Sequence, residues 1–309
     1  MTLAPGESRP YIWVFPLLSG GRNAPHCRAG FATQSRTANR KAALLNSIRT
    51  PATLLPAVLA AAQRAGETAM AAYRPGQRTS AAVESKEGGS PVTEADKAVD
   101  RYLRSVLGDL VPQAGWLSEE SPDTPERLDR RQVFIVDPID GTRAFMAGDP
   151  RWAVSIALVI DGSPALGVLH LPALGRTYAA IAGQGATLDG LPARVSQGAL
   201  AGGRIAGPAP LIDRLTRGGL AVATQPRIPS LAYRLALVAS GDLEAGLAST
   251  NSHDWDIAAA DLIVHEAGGR LTDLEGRRPH YNQPSPRHGV LAAAPSHAHA
   301  ELTSRMRAS

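Results

Sequence analysis

Cysteine is nearly absent: the 309-residue chain has one, Cys27. That excludes a disulfide framework and a cysteine-built zinc site, and Cys27 is given no catalytic part. The lack of cysteine after residue 27 fits a reducing compartment. No apolar run reaches the roughly 18 residues of a membrane span, so no stable membrane insertion is expected. Lysine is confined to Lys41, Lys86 and Lys97. Scarce Lys beside Arg, with much Ala and Gly, reads as a coding bias. The chain is 44% hydrophobic and 19% charged, as ordinary globular proteins are. Collagen-like, fibrous and wholly disordered chains are excluded.

The formal charge of +4 invites a nucleic-acid reading, but its distribution removes that reading. Residues 1–53 hold seven basic side chains against one acid, Glu7, for a net +6. The other 256 residues therefore carry −2, a poor generic polyanion surface. No nucleic-acid partner is expected. The leader, 1–53, is Arg- and Ser-rich and acid-poor, which overlaps with a transit peptide. Its preferred account is a disordered or non-native extension from an upstream start. Tyr11–Leu18 is too short, and too interrupted by Pro16, for a secretory signal. A cytoplasmic location is expected, with organellar targeting by the leader left open.

Beyond the leader, helices and strands mix throughout, which suggests an α/β or layered α+β architecture. Helical spacing predicts helices over 52–74, 93–107 (Thr93 as N-cap), 230–239 and 256–267, and a weaker one over 211–215. Strands are expected at 133–136, 153–160, 165–171, 177–181, 220–224, 245–248 and 270–272. Asp161-Gly162 is a hairpin turn signal. A shift toward Gly and Ala near 191–203 divides the body into an N-terminal α+β subdomain, 54–195, and a C-terminal α/β subdomain, 196–309.

The acids gather in four groups: 93–96, 119–120, 137–140 and 254–256. The most informative is Asp137-Pro138-Ile139-Asp140-Gly141-Thr142, directly after an apolar strand. Two acids three apart, across a turn that Pro138 stiffens and Gly141 permits, can point into one small volume. Close carboxylates repel unless a cation lies between them, and an all-oxygen set suits Mg²⁺ or Mn²⁺. Gly141 and Thr142 offer backbone N–H groups at a helix start, which suits a phosphate. Ser118-Glu119-Glu120-Ser121 alone reads as a solvated turn. Asp256, opening a helix, alone reads as a cap. His253 and Asp254 could be metal ligands by residue type but read better as a pocket rim or exposed loop, and His265 as packing or surface. Together, acids from separate segments, a Thr and a helix N-terminus describe metal-assisted phosphoryl hydrolysis.

These motifs occur in the order Pro91-Val92-Thr93-Glu94-Ala95-Asp96, Leu117-Ser118-Glu119-Glu120-Ser121, Phe134 to Phe145, and Trp255-Asp256-Ile257-Ala258-Ala259-Ala260 running on to Gly269. Over residues 54–300 the chain resembles the inositol monophosphatase superfamily of Mg²⁺-dependent, Li⁺-sensitive phosphomonoesterases. The resemblance implies a layered α-β-α-β-α sandwich, often a homodimer, acting on a small phosphorylated metabolite with a metal-activated water. It implies a first metal on Glu119, Asp137 and the Ile139 carbonyl, and a second on Asp137, Asp140 and Asp256. A third, weaker metal would be placed with help from Glu119. Asp96 and Thr142 would orient or deprotonate the water, and Gly141 and Thr142 would bind phosphate through backbone N–H groups.

Two departures bear on substrate. Thr142-Arg143-Ala144-Phe145 stands where inositol-specific relatives have Thr-Asn-Phe, and Ser249 stands where they place an inositol-binding Glu. Arg143 could contact a second phosphate. The pattern leans to the 3′(2′),5′-bisphosphate nucleotidase branch, with inositol-1-monophosphatase or histidinol-phosphatase as alternatives and a non-catalytic phosphometabolite sensor as the non-enzyme reading. Ser118, where many relatives have Gly, is expected to be harmless.

Overall fold

The computed structural model describes residues 50–85 and 90–308. Cys27 and the leader up to residue 49 lie outside the described residues. Helix α1 (Pro51–Met70) is capped by Thr50 and buries Leu54, Val58, Ala61, Ala62, Ala65 and Ala69 along one stripe. Strands β1 (Val83–Ser85) and β2 (Pro91–Thr93) form an antiparallel pair, after which α2 runs from Glu94 to Leu110.

The large sheet has seven strands in sequence order: β3 (Gly115–Ser118), β4 (Gln132–Asp140), β5 (Ala153–Ile160), β6 (Ser163–Leu171), β7 (Arg176–Ile181), β8 (Ala186–Leu188) and β9 (Leu191–Pro192). A short helix, α3 (Thr142–Ala147), lies between β4 and β5. Only β3 and β4 are parallel; the other pairs are antiparallel. The expected hairpin is present, with Asp161 and Gly162 both at positive φ between β5 and β6. β4 is longer than its four-residue apolar run, because pairing with β5 carries it on through Pro138 to Asp140.

The rest of the chain supplies β10 (Arg204–Ala206), α4 (Ala209–Arg217), β11 (Ala223–Thr224), α5 (Leu231–Ala239), β12 (Ala245–Ala248), β13 (Ser252–His253), α6 (Asp254–Glu266), β14 (Gly269–Asp273), β15 (Arg287–His288), β16 (Leu291–Pro295) and α7 (His299–Ala308). A second sheet takes the order β11-β10-β12-β16-β14, and β13 pairs with β15. The strand expected over 220–224 is reduced to its last two residues.

Alternation of side chains along the large sheet sets the layers. Phe134, Val136, Val154, Ile156, Leu158, Leu166 and Val168 pack with α1 and α2. Val133, Ile135, Ala153, Ala157, Val159, Leu169 and Leu171 face the other way and pack with α5 and α6. Helices α5 and α6 also contact the five-stranded sheet, whose far side meets α7. The result is a layered α-β-α-β-α sandwich, as expected.

Gly167 of β6 packs directly against the backbone of α6. A Cβ there would lie 2.8 Å from the Ala259 carbonyl oxygen of α6 and 3.2 Å from its Cα. Backbone cannot yield as a side-chain tip can, so Gly167→Ala should destabilise the protein by about 1–3 kcal/mol. Urea denaturation measures this, and an unchanged midpoint would mean that the two layers do not meet there.

Candidate metal centre and active site

The site starts from an irregularity in β4. Asp137 pairs with Ser155 of β5, but Asp140 pairs with Ala153, so three steps on β4 match two on β5. In a regular strand, residues three apart point to opposite faces. The bulge inserts one residue and brings both carboxylates to the same side. The Ile139 N–H donates to Asp137 Oδ1 at 3.0 Å, fixing that turn. Gly141 then adopts φ 92°, open to glycine, and starts α3. A Cβ on Gly141 would press on Ser230 N at 3.3 Å.

Three helix N-termini converge on this bulge. α6 presents Asp256, whose carboxylate accepts the His253 N–H at 2.7 Å. One oxygen each from Asp137, Asp140 and Asp256 lie within 4.8 Å of one another. α2 presents Asp96 in a capping box: its Oδ2 accepts the Thr93 N–H (2.8 Å) and hydroxyl (2.5 Å). Its Oδ1 lies 3.2 Å from the Thr142 hydroxyl, which also lies 3.1 Å from the Ile139 carbonyl. α5 points its N-terminus at Asp140, which accepts the Ser230 hydroxyl (2.5 Å) and the Leu231 and Ala232 N–H groups (3.2 and 2.7 Å).

Electrostatics make this cluster unlike a surface patch. Burial pushes the Asp137 carboxyl well above the usual range, and the charges of Glu119, Asp140, Asp256 and Asp96 push it further. Asp140 is pushed up to about 7 by burial and by Asp256, against the lowering pull of its Ser230, Ala232 and Leu231 hydrogen bonds. Burial also raises Asp96, while its bonds from Thr93 and Thr142 oppose the shift. The donor set is all oxygen and strongly negative, which fits a hard divalent cation and no softer metal.

Glu119 is half-buried and close enough to Asp96 and Asp137 for its charge to act on both. Its segment is not the solvated turn that the local sequence suggests. Ser118 donates to Asp100 Oδ1 at 2.5 Å and Ser121 to Asp100 Oδ2, so the two serines flanking the acids share one buried carboxylate. Asp100 stands one helical turn after Asp96 on α2, and one helix thereby fixes two parts of the site. Ser118 is thus more than harmless.

Asp254 is a correction: it is 1% exposed, accepts the Asn282 N–H (2.8 Å) and lies 2.7 Å from His288 Nε2. Asp254 therefore ties α6 to the 282–288 segment and is no rim residue. His253 is half-buried and stacks on Trp255, with centroids 4.4 Å apart. His265 Nε2 accepts the Leu271 N–H and packs as expected. Arg143 is exposed on the first turn of α3, with Gly141 half-buried before it.

Residues 51–309 match the family model described as the inositol monophosphatase family. The chain belongs to the inositol monophosphatase family. Its members hydrolyse phosphomonoesters and depend on Mg²⁺, in keeping with the acidic cluster. The chain is 35% identical over 247 residues to the 3′(2′),5′-bisphosphate nucleotidase CysQ of Aggregatibacter actinomycetemcomitans, covering 74% of this chain and 88% of that protein. It is 36% identical to the histidinol-phosphatase of Mycobacterium tuberculosis, covering 73% and 88%. The extragenic suppressor protein SuhB of Bartonella henselae has a similar crystal structure, with TM-score 0.73, 30% identity and coverage of 82% and 98%.

The parts that Ser230, Leu231, Ala232 and Asp100 play in the site have no local signal in the sequence. Ser230 was visible as a helix start, but its aim at Asp140, 90 residues away, was not.

The raised carboxyls set a pH dependence. In metal-free protein the folded state keeps a proton on Asp140 that the unfolded chain releases above about pH 4. The folded state binds more protons, so stability falls as pH rises from about 4 through about 7. Mg²⁺ takes the proton's place and restores stability most at the upper end of that window. Melting temperatures with EDTA and with Mg²⁺ should diverge as pH rises; parallel curves would contradict this.

Proposed function

We propose that the protein is a Mg²⁺-dependent 3′(2′),5′-bisphosphate nucleotidase, releasing one phosphate from adenosine 3′,5′-bisphosphate to leave AMP. The observation that carries the hydrolytic reading is the Asp137–Asp140–Asp256 cluster with the Asp96–Thr142 contact beside it. Glu119, Asp137 and the Ile139 carbonyl would hold one ion, and Asp137, Asp140 and Asp256 another. A third would be placed with Glu119, and Mn²⁺ would substitute. When bound, the metal supplies charge neutralisation and Lewis acidity.

The chain's own groups do the rest. Asp96 Oδ1 takes the Thr142 hydroxyl proton, which leaves Thr142 Oγ1 with lone pairs to accept a proton from the attacking water. The backbone N–H groups of Gly141 and Thr142 would bind the phosphate. Asp256 and Arg143 would contact the rest of the substrate. The relatives support the nucleotidase assignment only as one branch, since a histidinol-phosphatase is equally similar. We further propose a cytoplasmic homodimer with its two subdomains dividing near residue 195. No described helix is long and apolar enough to cross a membrane.

Phosphate release from adenosine 3′,5′-bisphosphate, inositol 1-phosphate, histidinol phosphate and fructose 1,6-bisphosphate tests the proposal. The bisphosphate nucleotide should turn over fastest, only with Mg²⁺, and Asp140→Asn should cost more than the roughly 10–100-fold typical of a residue that merely supports a ligand. A faster histidinol phosphate would move the chain to that branch. No turnover by folded, Mg²⁺-loaded protein would favour the sensor reading.

A further inference from the structure

Beside the acidic cluster lies a cavity of about 670 Å³ that the catalytic roles above do not use. Ile212, Ile228, Leu231 and Ala248 give it apolar walls, and Ser249 and Arg234 add polar groups. Leu231 joins the two places: its N–H donates to Asp140 while its residue lines the cavity. An ester whose phosphate meets the acids therefore has this space for its alcohol.

Arg234, one turn into α5, is held rigidly. Its Nη1 donates to the Leu247 carbonyl at 2.7 Å and its Nη2 to the Ile228 carbonyl at 3.1 Å. A guanidinium has five N–H donors, so three remain. Among the described residues no carboxylate forms an ion pair with it. Burial holds its pKa below the usual arginine value, while the charge of Asp140 opposes that shift. A partly desolvated cation with no carboxylate in direct contact is costly, and an anion held by charge-assisted hydrogen bonds offsets that cost. Arg227 lines the same cavity, so its two cations outnumber its one acid, Asp213.

We propose that Arg234 binds a second phosphate carried on the alcohol of the substrate, seating it in this cavity while the scissile phosphate meets the acidic cluster. This rests on the phosphatase reading above. It adds to Arg143, exposed on α3, a cation that is already held in place. The cavity's apolar walls would take the flat base of a nucleoside, and its cations the phosphate that is retained.

The test is a ratio measured with the full chain at saturating Mg²⁺. Two substrates are compared: adenosine 3′,5′-bisphosphate, and p-nitrophenyl phosphate, which has no second anion. Arg234→Gln should lower kcat/KM for the bisphosphate roughly 10- to 100-fold, mainly through KM, as loss of hydrogen bonds to a charged group does. It should leave p-nitrophenyl phosphate within about twofold. Arg234→Lys should restore part of the loss. An equal fall for both substrates, or none for the bisphosphate, overturns the proposal. Should the Gln variant fail to fold, wild-type protein decides: kcat/KM for adenosine 3′,5′-bisphosphate must exceed that for adenosine 3′-monophosphate, which lacks the second anion, and equal values overturn it. A wild type that cleaves neither ester would defeat the phosphatase reading itself.

Discussion

Mutual repulsion among Asp137, Asp140 and Asp256 is the constraint around which the site is built. Their oxygens lie within 4.8 Å, where two full charges repel by about 3–4 kcal/mol per pair at an effective dielectric of about 20. Net stabilities of domains are only about 5–15 kcal/mol. A fully ionised, cation-free cluster would therefore consume much of the margin. Among the described residues, Asp137 and Asp140 accept no hydrogen bond from an Arg, Lys or His side chain. The protein offsets the repulsion with neutral donors instead: the α5 N-terminus and Ser230 on Asp140, and the Ile139 N–H on Asp137. Such donors lower the carboxyl pKa without filling the space between the acids, which keeps that space for a cation.

Placement follows from the layers. The helices that carry Asp96 and Asp256 lie on opposite faces of the large sheet, one with each of its two cores. Their N-termini meet at the end of β4 because β4 runs between them. The bulge at Pro138 is what turns this meeting into a cluster, since without it one of its two acids would face the wrong layer. Asp100 extends the economy: the helix that presents Asp96 also holds the loop of Glu119, so the two cannot shift independently.

Much of this is legible in the amino-acid sequence. Long apolar strands and strongly periodic helices were readable because both sheet faces are buried and each helix stripe is continuous. Asp137 and Asp140 stood out because they follow an apolar run directly. Their convergence required the bulge, which pairing with β5 imposes and local sequence only hints at through Pro138 and Gly141. The Ser118–Ser121 turn looked solvated because its partner, Asp100, is 18 residues away and ordinary in type. Asp254 looked like a rim residue because the segment that buries it arrives about 30 residues later. The cavity has no local signal for a similar reason: Ile212, Leu231 and Ala248 lie on three separate elements, and only their packing leaves a gap between them.

The central claim is that the three carboxylates hold a divalent cation and that hydrolysis depends on it. Anomalous diffraction from crystals of the protein soaked in Mn²⁺ tests this most directly. The account predicts a peak among the Asp137, Asp140 and Asp256 carboxylates that disappears in Asp137→Asn. A fully active enzyme with no peak there, or one whose Mn²⁺ binds elsewhere, would contradict it.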